Sequence, residues 1–219
     1  LTVSGAWITG TPGAGVQADA SAAFSKGPVG LTPSIRVRAI NPVKGNSFND
    51  VRLALEIKVP LESKGPLKAD FKFTPFGTLK QVYGGDPSFQ LGARAGIDAK
   101  WDTPLKGVSV KFTPYVEASQ TFNPGKDDNA LVIGSSLSGI YKNGPITVEA
   151  GANVETWNLL DRGVEPRAAA IISVTGQINE NVGIFASGAL GISGSPSVSS
   201  SLPGDGEKIF SLGLRLRTR

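Results

Sequence analysis

Apolar and polar residues alternate along twelve short segments of this 219-residue chain. In the clearest segment, Val51, Leu53 and Leu55 share one parity, while Arg52 and Glu56 share the other. A period of two places successive side chains on opposite faces of a β-strand, so each strand has one apolar and one polar face. The pattern predicts an all-β fold whose strands separate two different environments.

The twelve predicted strands are separated by Gly, Pro, Asn and Asp, the residues that most readily adopt turn conformations. Asn143-Gly144 is the tightest of these joints, and this dipeptide is typical of two-residue hairpins. The predicted strands span 1–9, 15–25, 30–41, 50–60, 65–75, 87–99, 107–119, 129–142, 145–157, 164–177, 181–193 and 207–218.

The connections between these strands alternate in length along the chain. The longer ones are 10–14, 42–49, 76–86, 120–128, 158–163 and 194–206, and the shorter ones are 26–29, 61–64, 100–106, 143–144 and 178–180. An up-and-down barrel places alternate connections on the same rim, and bacterial outer-membrane barrels combine short periplasmic turns with longer outer loops. We therefore predict a closed up-and-down antiparallel transmembrane β-barrel of about 12 strands, a single domain over residues 1–219. Both termini are expected on the short-turn, periplasmic rim.

Composition excludes several kinds of catalytic and binding site. The chain has no Cys and no His, which removes disulfides, thiolate and imidazole metal sites, and Ser-His nucleophiles. Glu149 and Glu155 share one strand face but lie about 20 Å apart at strand rise, too far for a glycosidase pair. The net charge of +4 is dispersed among acids rather than gathered in one patch. We predict no enzyme activity, no cofactor, no metal and no nucleic-acid partner.

The sequence also suggests where the protein resides. It contains no Met and begins at Leu1, as cleavage of an export signal would produce. No apolar run approaches the roughly 18 residues of a membrane helix, but a barrel strand crosses a bilayer with about 9–11 alternating residues. We expect an exported protein of the bacterial outer membrane, with its signal peptide removed and the lipid bilayer as its partner.

In a membrane, the apolar faces must meet lipid, because a charge there at mid-bilayer costs about 2–4 kcal/mol. The charged faces then line the interior. The predicted pore-lining residues are Arg36, Arg38, Arg52, Glu56, Lys58, Lys68, Asp70, Lys72, Arg94, Asp98, Lys111, Glu117, Glu149, Glu155, Arg167, Arg215 and Arg217.

This set contains 11 basic and 6 acidic residues, which predicts a mild preference for anionic solutes. A 12-stranded barrel is intermediate between filled barrels of about 8 strands and open channels of 16–18. The lumen is therefore either a narrow water-filled pore or closed by pairs of arginines and carboxylates. The sequence leaves both options open.

Aromatic residues near the ends of predicted strands are typical of the girdles that barrels place at both membrane interfaces. The predicted interface aromatics are Trp7, Phe73, Phe89 and Phe210 at the long-loop rim, and Phe24, Trp101 and Tyr141 at the short-turn rim.

Over essentially its full length, the chain resembles the outer-membrane β-barrel (porin-like) class in architecture, without a motif that indicates a subfamily. Its last strand alternates Phe210, Leu212, Leu214 and Leu216, as C-terminal strands of this class commonly do, although the final residue is Arg219 rather than Phe. The resemblance implies a passive pore for small hydrophilic solutes.

Two alternatives fit the same alternation. The first is a structural membrane barrel that binds a partner protein, a surface layer or further copies of itself, for which the many outer-face Ala residues would suit close packing. The second is a soluble all-β ligand-binding protein whose charged face points outward. Conductance distinguishes the first alternative from a pore, and detergent dependence distinguishes the second.

Overall fold

The computed structural model describes residues 1–10, 13–42, 48–61, 65–81, 86–123, 126–157, 165–193, 206 and 208–217. Their strands are β1 (Thr2–Gly10), β2 (Gly13–Ser21), β3 (Phe24–Lys26), β4 (Val29–Pro42), β5 (Phe48–Leu61), β6 (Leu67–Lys80), β7 (Ser88–Asp102), β8 (Val108–Asn123), β9 (Lys126–Asn143), β10 (Ile146–Trp157), β11 (Glu165–Gln177), β12 (Val182–Ser193) and β13 (Lys208–Arg217). Among the described residues there is no helix with the length and hydropathy needed to cross a membrane.

The strands close into one antiparallel ring. Each strand from β4 to β13 pairs with the next in sequence, β13 pairs with β1, and β1 pairs with β2. β2 and β3 both pair with β4, so they occupy a single position in the ring. The prediction of a closed up-and-down barrel of 12 strands is thereby confirmed.

Pro33 accounts for the division of the predicted strand 15–25 into β2 and β3. Ser21 still pairs with Ser34 in β4, and pairing resumes between Phe24 and Leu31. Between them the Ala22 amide donates to the Pro33 carbonyl at 3.1 Å, but Pro33 has no N–H to return the bond. The missing donor interrupts the ladder for two residues without opening the ring.

Several strands extend further than the alternation predicts. β6 continues to Lys80, and β8 and β9 leave only residues 124–125 between them. Residues 11–12 alone separate β1 from β2. The expected longer connections at 10–14 and 120–128 are therefore short, and the two rims differ less than predicted.

The strand registers determine the width of the barrel. Following paired residues from Asp127 on β9 through each strand in turn returns to Asn143 on the same strand, which is a shear of 16 residues. With ordinary strand spacing, this shear tilts 12 strands by roughly 40–45° and gives a backbone radius of about 12 Å. Such a cylinder leaves space inside for side chains and for water.

The outer face of the barrel is apolar. Trp7, Leu53 and Leu212 each expose more than half of their surface there. Of the strand side chains that the structure describes on this face, the only charged ones are Lys26 and Lys208, both at strand ends. The exterior is therefore suited to lipid, and the polar residues are directed inward.

Candidate functional site

The predicted pore-lining residues share the inward parity of their strands, and most belong to one side of the barrel. We call the inner face of β2 and β4–β8 the charged wall. The inner face of β9–β13 and β1 is richer in Ser, Thr, Gly and Ala, and we call it the serine-rich wall. It carries five of the predicted residues, namely Glu149, Glu155, Arg167, Arg215 and Arg217.

Charges of the same sign stand side by side on the charged wall. Lys58 stands opposite Lys72, and Asp70 stands opposite Asp98. Like charges directly opposite each other destabilise a sheet. Opposite charges therefore pair diagonally between adjacent strands, as in the 2.9 Å contact from Lys58 Nζ to Asp70 Oδ2.

Lys72 is the centre of the densest ion-pair cluster. Its Nζ lies 3.1 Å from Glu56 Oε2 and 2.9 Å from Asp98 Oδ2. Asp98 also accepts a hydrogen bond from the Thr113 hydroxyl at 2.8 Å and lies 3.6 Å from Lys111 Nζ. The cluster joins β5, β6, β7 and β8 side by side along the wall.

Arginines make a second set of ion pairs. Both Nε and Nη2 of Arg94 lie 2.7 Å from Glu117 Oε2, and Arg36 Nε lies 2.7 Å from Asp19 Oδ1. Arg38 donates to Asp50 through two nitrogens. Asp19 and Asp50 are absent from the predicted lining set, although their parity alone would have assigned them to it.

The ion pairs follow the wall and do not cross the interior. Among the described residues, every ion pair joins neighbouring strands of the ring or two residues of one strand. Near the short-turn rim, for example, Lys68 and Lys100 both lie within 3.4 Å of Asp102. Pairs of this kind leave the space between opposite walls unbridged.

Three inward aromatic rings lie over glycines of the next strand. Cβ atoms added at Gly92, Gly134 and Gly213 would lie 2.5, 2.4 and 2.5 Å from the Cζ atoms of rings on adjoining strands. An arginine guanidinium lies over the face of each ring, at 3.8 to 5.8 Å from its centre. The three combinations of arginine, ring and glycine are Arg52–Phe76–Gly92, Arg94–Tyr115–Gly134 and Arg215–Phe185–Gly213.

The absence of a side chain at Gly134 lets Tyr115 reach across one strand to the next. Its ring crosses Gly134 on β9, and its hydroxyl donates at 2.7 Å to Glu155 on β10. Glu155 is almost completely buried and stands opposite Arg167, which is also buried. Glu149, further along β10, accepts a 2.6 Å hydrogen bond from Ser138.

A cavity of about 330 Å³ opens against the charged wall. Its lining includes Asp19, Ser34, Arg36, Arg52, Glu56, Thr74 and Arg94. Arg36 and Arg94 lie near the middle of β4 and β7, yet 47% and 38% of their side chains remain exposed. The exposure of these central, inward side chains shows that the middle of the barrel is not packed solid beside this wall.

The predicted interface aromatics lie on the outer face, where all seven are exposed. Phe89 begins the outer face of β7 and stacks on Phe122 with ring centres 6.5 Å apart. Trp101 and Tyr141 lie close to the opposite rim. Phe73 differs from its predicted rim position, because β6 continues to Lys80 and leaves this residue near mid-strand.

Comparison with known proteins identifies solved structures that share this fold. No family model and no curated protein matches the sequence. An outer membrane channel from Pseudomonas putida F1 is similar in structure, with a TM-score of 0.69, 10% identity and coverage of 98% of this chain and 94% of that one. The NanC porin and the KdgM porin match over all of both chains, with TM-scores of 0.64 and 0.57 at 10% and 8% identity. This chain therefore has the fold of outer-membrane β-barrels.

Proposed function

We propose that this protein is a bacterial outer-membrane barrel that forms a narrow passive pore for small hydrophilic solutes. The solutes pass along the charged wall with a mild preference for anions, and no reaction is catalysed. The observation that carries the proposal is the combination of an apolar exterior with inward charges that are paired along the wall rather than across it.

The arrangement of ion pairs favours an open lumen over a closed one. A lumen closed by its own charges needs arginines and carboxylates that meet from opposite walls. Within the described ranges the pairs join neighbours, and the cavity beside Arg36 and Arg94 is accessible to water. A solute therefore need not break ion pairs in order to pass.

The distribution of apolar residues supports insertion in a bilayer. A soluble ligand-binding barrel would direct its charged face outward and enclose the apolar one. Here Leu53, Ile172 and Leu212 are exposed on the outside, while Lys72 and Asp98 face inward. Lipid is the environment that this exterior matches.

The proposed anion preference depends on which inward charges lack an ion-pair partner. The inward carboxylates Asp19, Glu56 and Glu117 are each bound to a basic side chain. Arg52 and Arg215, by contrast, have no carboxylate within ion-pair distance in the described part of the chain, where Glu149 is an inward carboxylate bound to a hydroxyl rather than to a base. The field of such leftover cations attracts anions. A KdgM porin of similar fold has been solved in complex with disordered oligogalacturonate.

Reconstitution of the purified chain in a planar bilayer tests the proposal. We expect discrete current steps in symmetric salt and a reversal potential of anion-selective sign in a salt gradient. Stable insertion without current would contradict the pore and favour a structural barrel. A chain that remains monodisperse without detergent would contradict insertion itself.

A further inference from the structure

Among the described residues, Arg52 is a charge inside the barrel that lacks an ion-pair partner. It stands directly opposite Arg36, an arrangement that costs stability in a sheet. Asp19 compensates Arg36 with a 2.7 Å ion pair, but in the described residues no carboxylate or other acceptor contacts Arg52. A partly buried guanidinium without an acceptor costs folding free energy, and binding an anion would offset that cost.

The Phe76 ring contacts the guanidinium of Arg52. The guanidinium carbon lies 3.8 Å from the centre of the ring, within the distance of a cation–π contact. Phe76 is itself buried, and it is held over Gly92, where an added Cβ would come within 2.5 Å of the ring. A ring face is not a conventional hydrogen-bond acceptor, so the contact with Phe76 leaves the N–H groups of Arg52 to be satisfied by an oxyanion.

The surroundings of Arg52 suit an oxyanion. The 330 Å³ cavity beside it has three arginines and two carboxylates in its lining, together with two hydroxyl groups; these residues are Arg36, Arg52, Arg94, Asp19, Glu56, Ser34 and Thr74. At about 30 Å³ per water, the cavity has room for a small anion together with several waters. The neighbouring carboxylates already engage other bases. Asp19 binds Arg36, Glu56 binds Lys72, and Glu117 accepts from two nitrogens of Arg94.

We propose that Arg52, held over Phe76, forms an oxyanion-binding site in the lumen, nearer the Phe48 end of β5 than its Leu61 end. Its ligand is the carboxylate or phosphate group of a small hydrophilic solute. Arg36 and Arg94, each paired with its own carboxylate, line the same cavity. This inference rests on the proposed function, because it assigns to that pore a point at which anionic solutes dwell.

Interruption of the chloride current by added anions tests the site. Inorganic phosphate and glucuronate are the two probes, and glucose is the uncharged control. We expect phosphate, glucuronate or both to reduce the current of the unmodified protein, and Arg52→Gln to raise the half-blocking concentration about tenfold. Arg52→Lys keeps the charge but not the planar edge, so we expect it to recover only part of the block.

Arg215→Gln is the matched control. Arg215 also lies over an aromatic ring, Phe185, but it belongs to the serine-rich wall and does not line the 330 Å³ cavity. We expect less than a twofold change for this variant. Gly92→Ala changes no charge but displaces Phe76, so we expect weaker block with little change in reversal potential.

The possible outcomes distinguish failure of the anion-binding site from failure of the proposed pore. Current that neither anion blocks, or block that Arg52→Gln leaves unchanged, would overturn the site and leave the pore intact. If the protein carries no current, calorimetric titration of the detergent-solubilised barrel with phosphate and glucuronate tests binding directly. Binding lost in Arg52→Gln and retained in Arg215→Gln would then support the site without the pore, and the absence of such binding would overturn it.

Discussion

Single glycines decide how the inner side chains of this barrel are arranged. An aromatic ring can lie flat across the wall only where the next strand lacks a Cβ, and Gly92, Gly134 and Gly213 provide that space. The rings in turn carry the arginines that project into the lumen. The positions of Arg52 and Arg94 thus depend on a glycine two strands away, and the position of Arg215 depends on Gly213 of its own strand.

The first prediction concerns Gly134. A Cβ there would lie 2.4 Å from Tyr115 Cζ, so Gly134→Ala must displace the ring and its hydrogen bond to Glu155. We expect a loss of about 1–3 kcal/mol in the free energy of unfolding, the usual cost of overpacking. The measurement is urea unfolding of the protein folded into lipid vesicles.

Gly139→Ala is the control for this prediction. Gly139 lies on the same strand with the opposite parity, and its added Cβ would meet nothing closer than the Ala150 carbonyl at 4.0 Å. We expect a change within about 0.5 kcal/mol, as for other substitutions that disturb no packed feature. Equal losses at the two positions would contradict a specific role for the space above Gly134.

At the scale of the strand, parity separates the apolar outer face from the lumen. In the proposed membrane location, position along the strand sets the cost of placing a charge on the outer face. Leu53 lies near the middle of β5 and exposes 58% of its surface on the outer face, whereas Leu61 ends the same strand on the same face. We expect Leu53→Arg to reduce the free energy of unfolding in vesicles by about 2–4 kcal/mol and Leu61→Arg by about 0–1 kcal/mol. Similar values for the two variants would argue against a membrane around β5.

Strand parity is local information, and it was sufficient to predict which face of each strand is apolar. Parity also indicates Asp19 and Asp50 as inward residues, but their partners Arg36 and Arg38 belong to other strands and depend on register. Phe76 shows the limit of local patterns. Pro and Gly flank it and discourage a strand, yet β6 continues because the ring packs over Gly92 of the next strand.

In the proposed pore, the whole barrel would set the electric field that a permeating ion meets. We expect Arg52→Glu combined with Arg215→Glu to shift the reversal potential in a salt gradient toward cation selectivity. Raising the salt should weaken the difference, because the screening length falls from about 10 Å at 0.1 M to about 3 Å at 1 M. Reversal potentials that do not move would contradict the inward assignment of these arginines.

A matched variant changes the same number of charges outside the lumen. Lys26 and Lys106 are exposed at the end of β3 and in the turn after β7. We expect Lys26→Glu with Lys106→Glu to shift the reversal potential less than half as far. An equal shift would mean that overall charge, rather than the lumen lining, determines selectivity.

The shear of the barrel could not be read from local patterns, because it is the sum of twelve registers between distant segments. It would also shape the route of a solute through the proposed pore. From rim to rim, a strand with the tilt given above turns roughly a third of the way around the axis. The charged wall is therefore a spiral ramp rather than a vertical stripe. In the proposed pore, a molecule that moved from one cation to the next would follow this spiral around the axis, so its path would have a definite handedness.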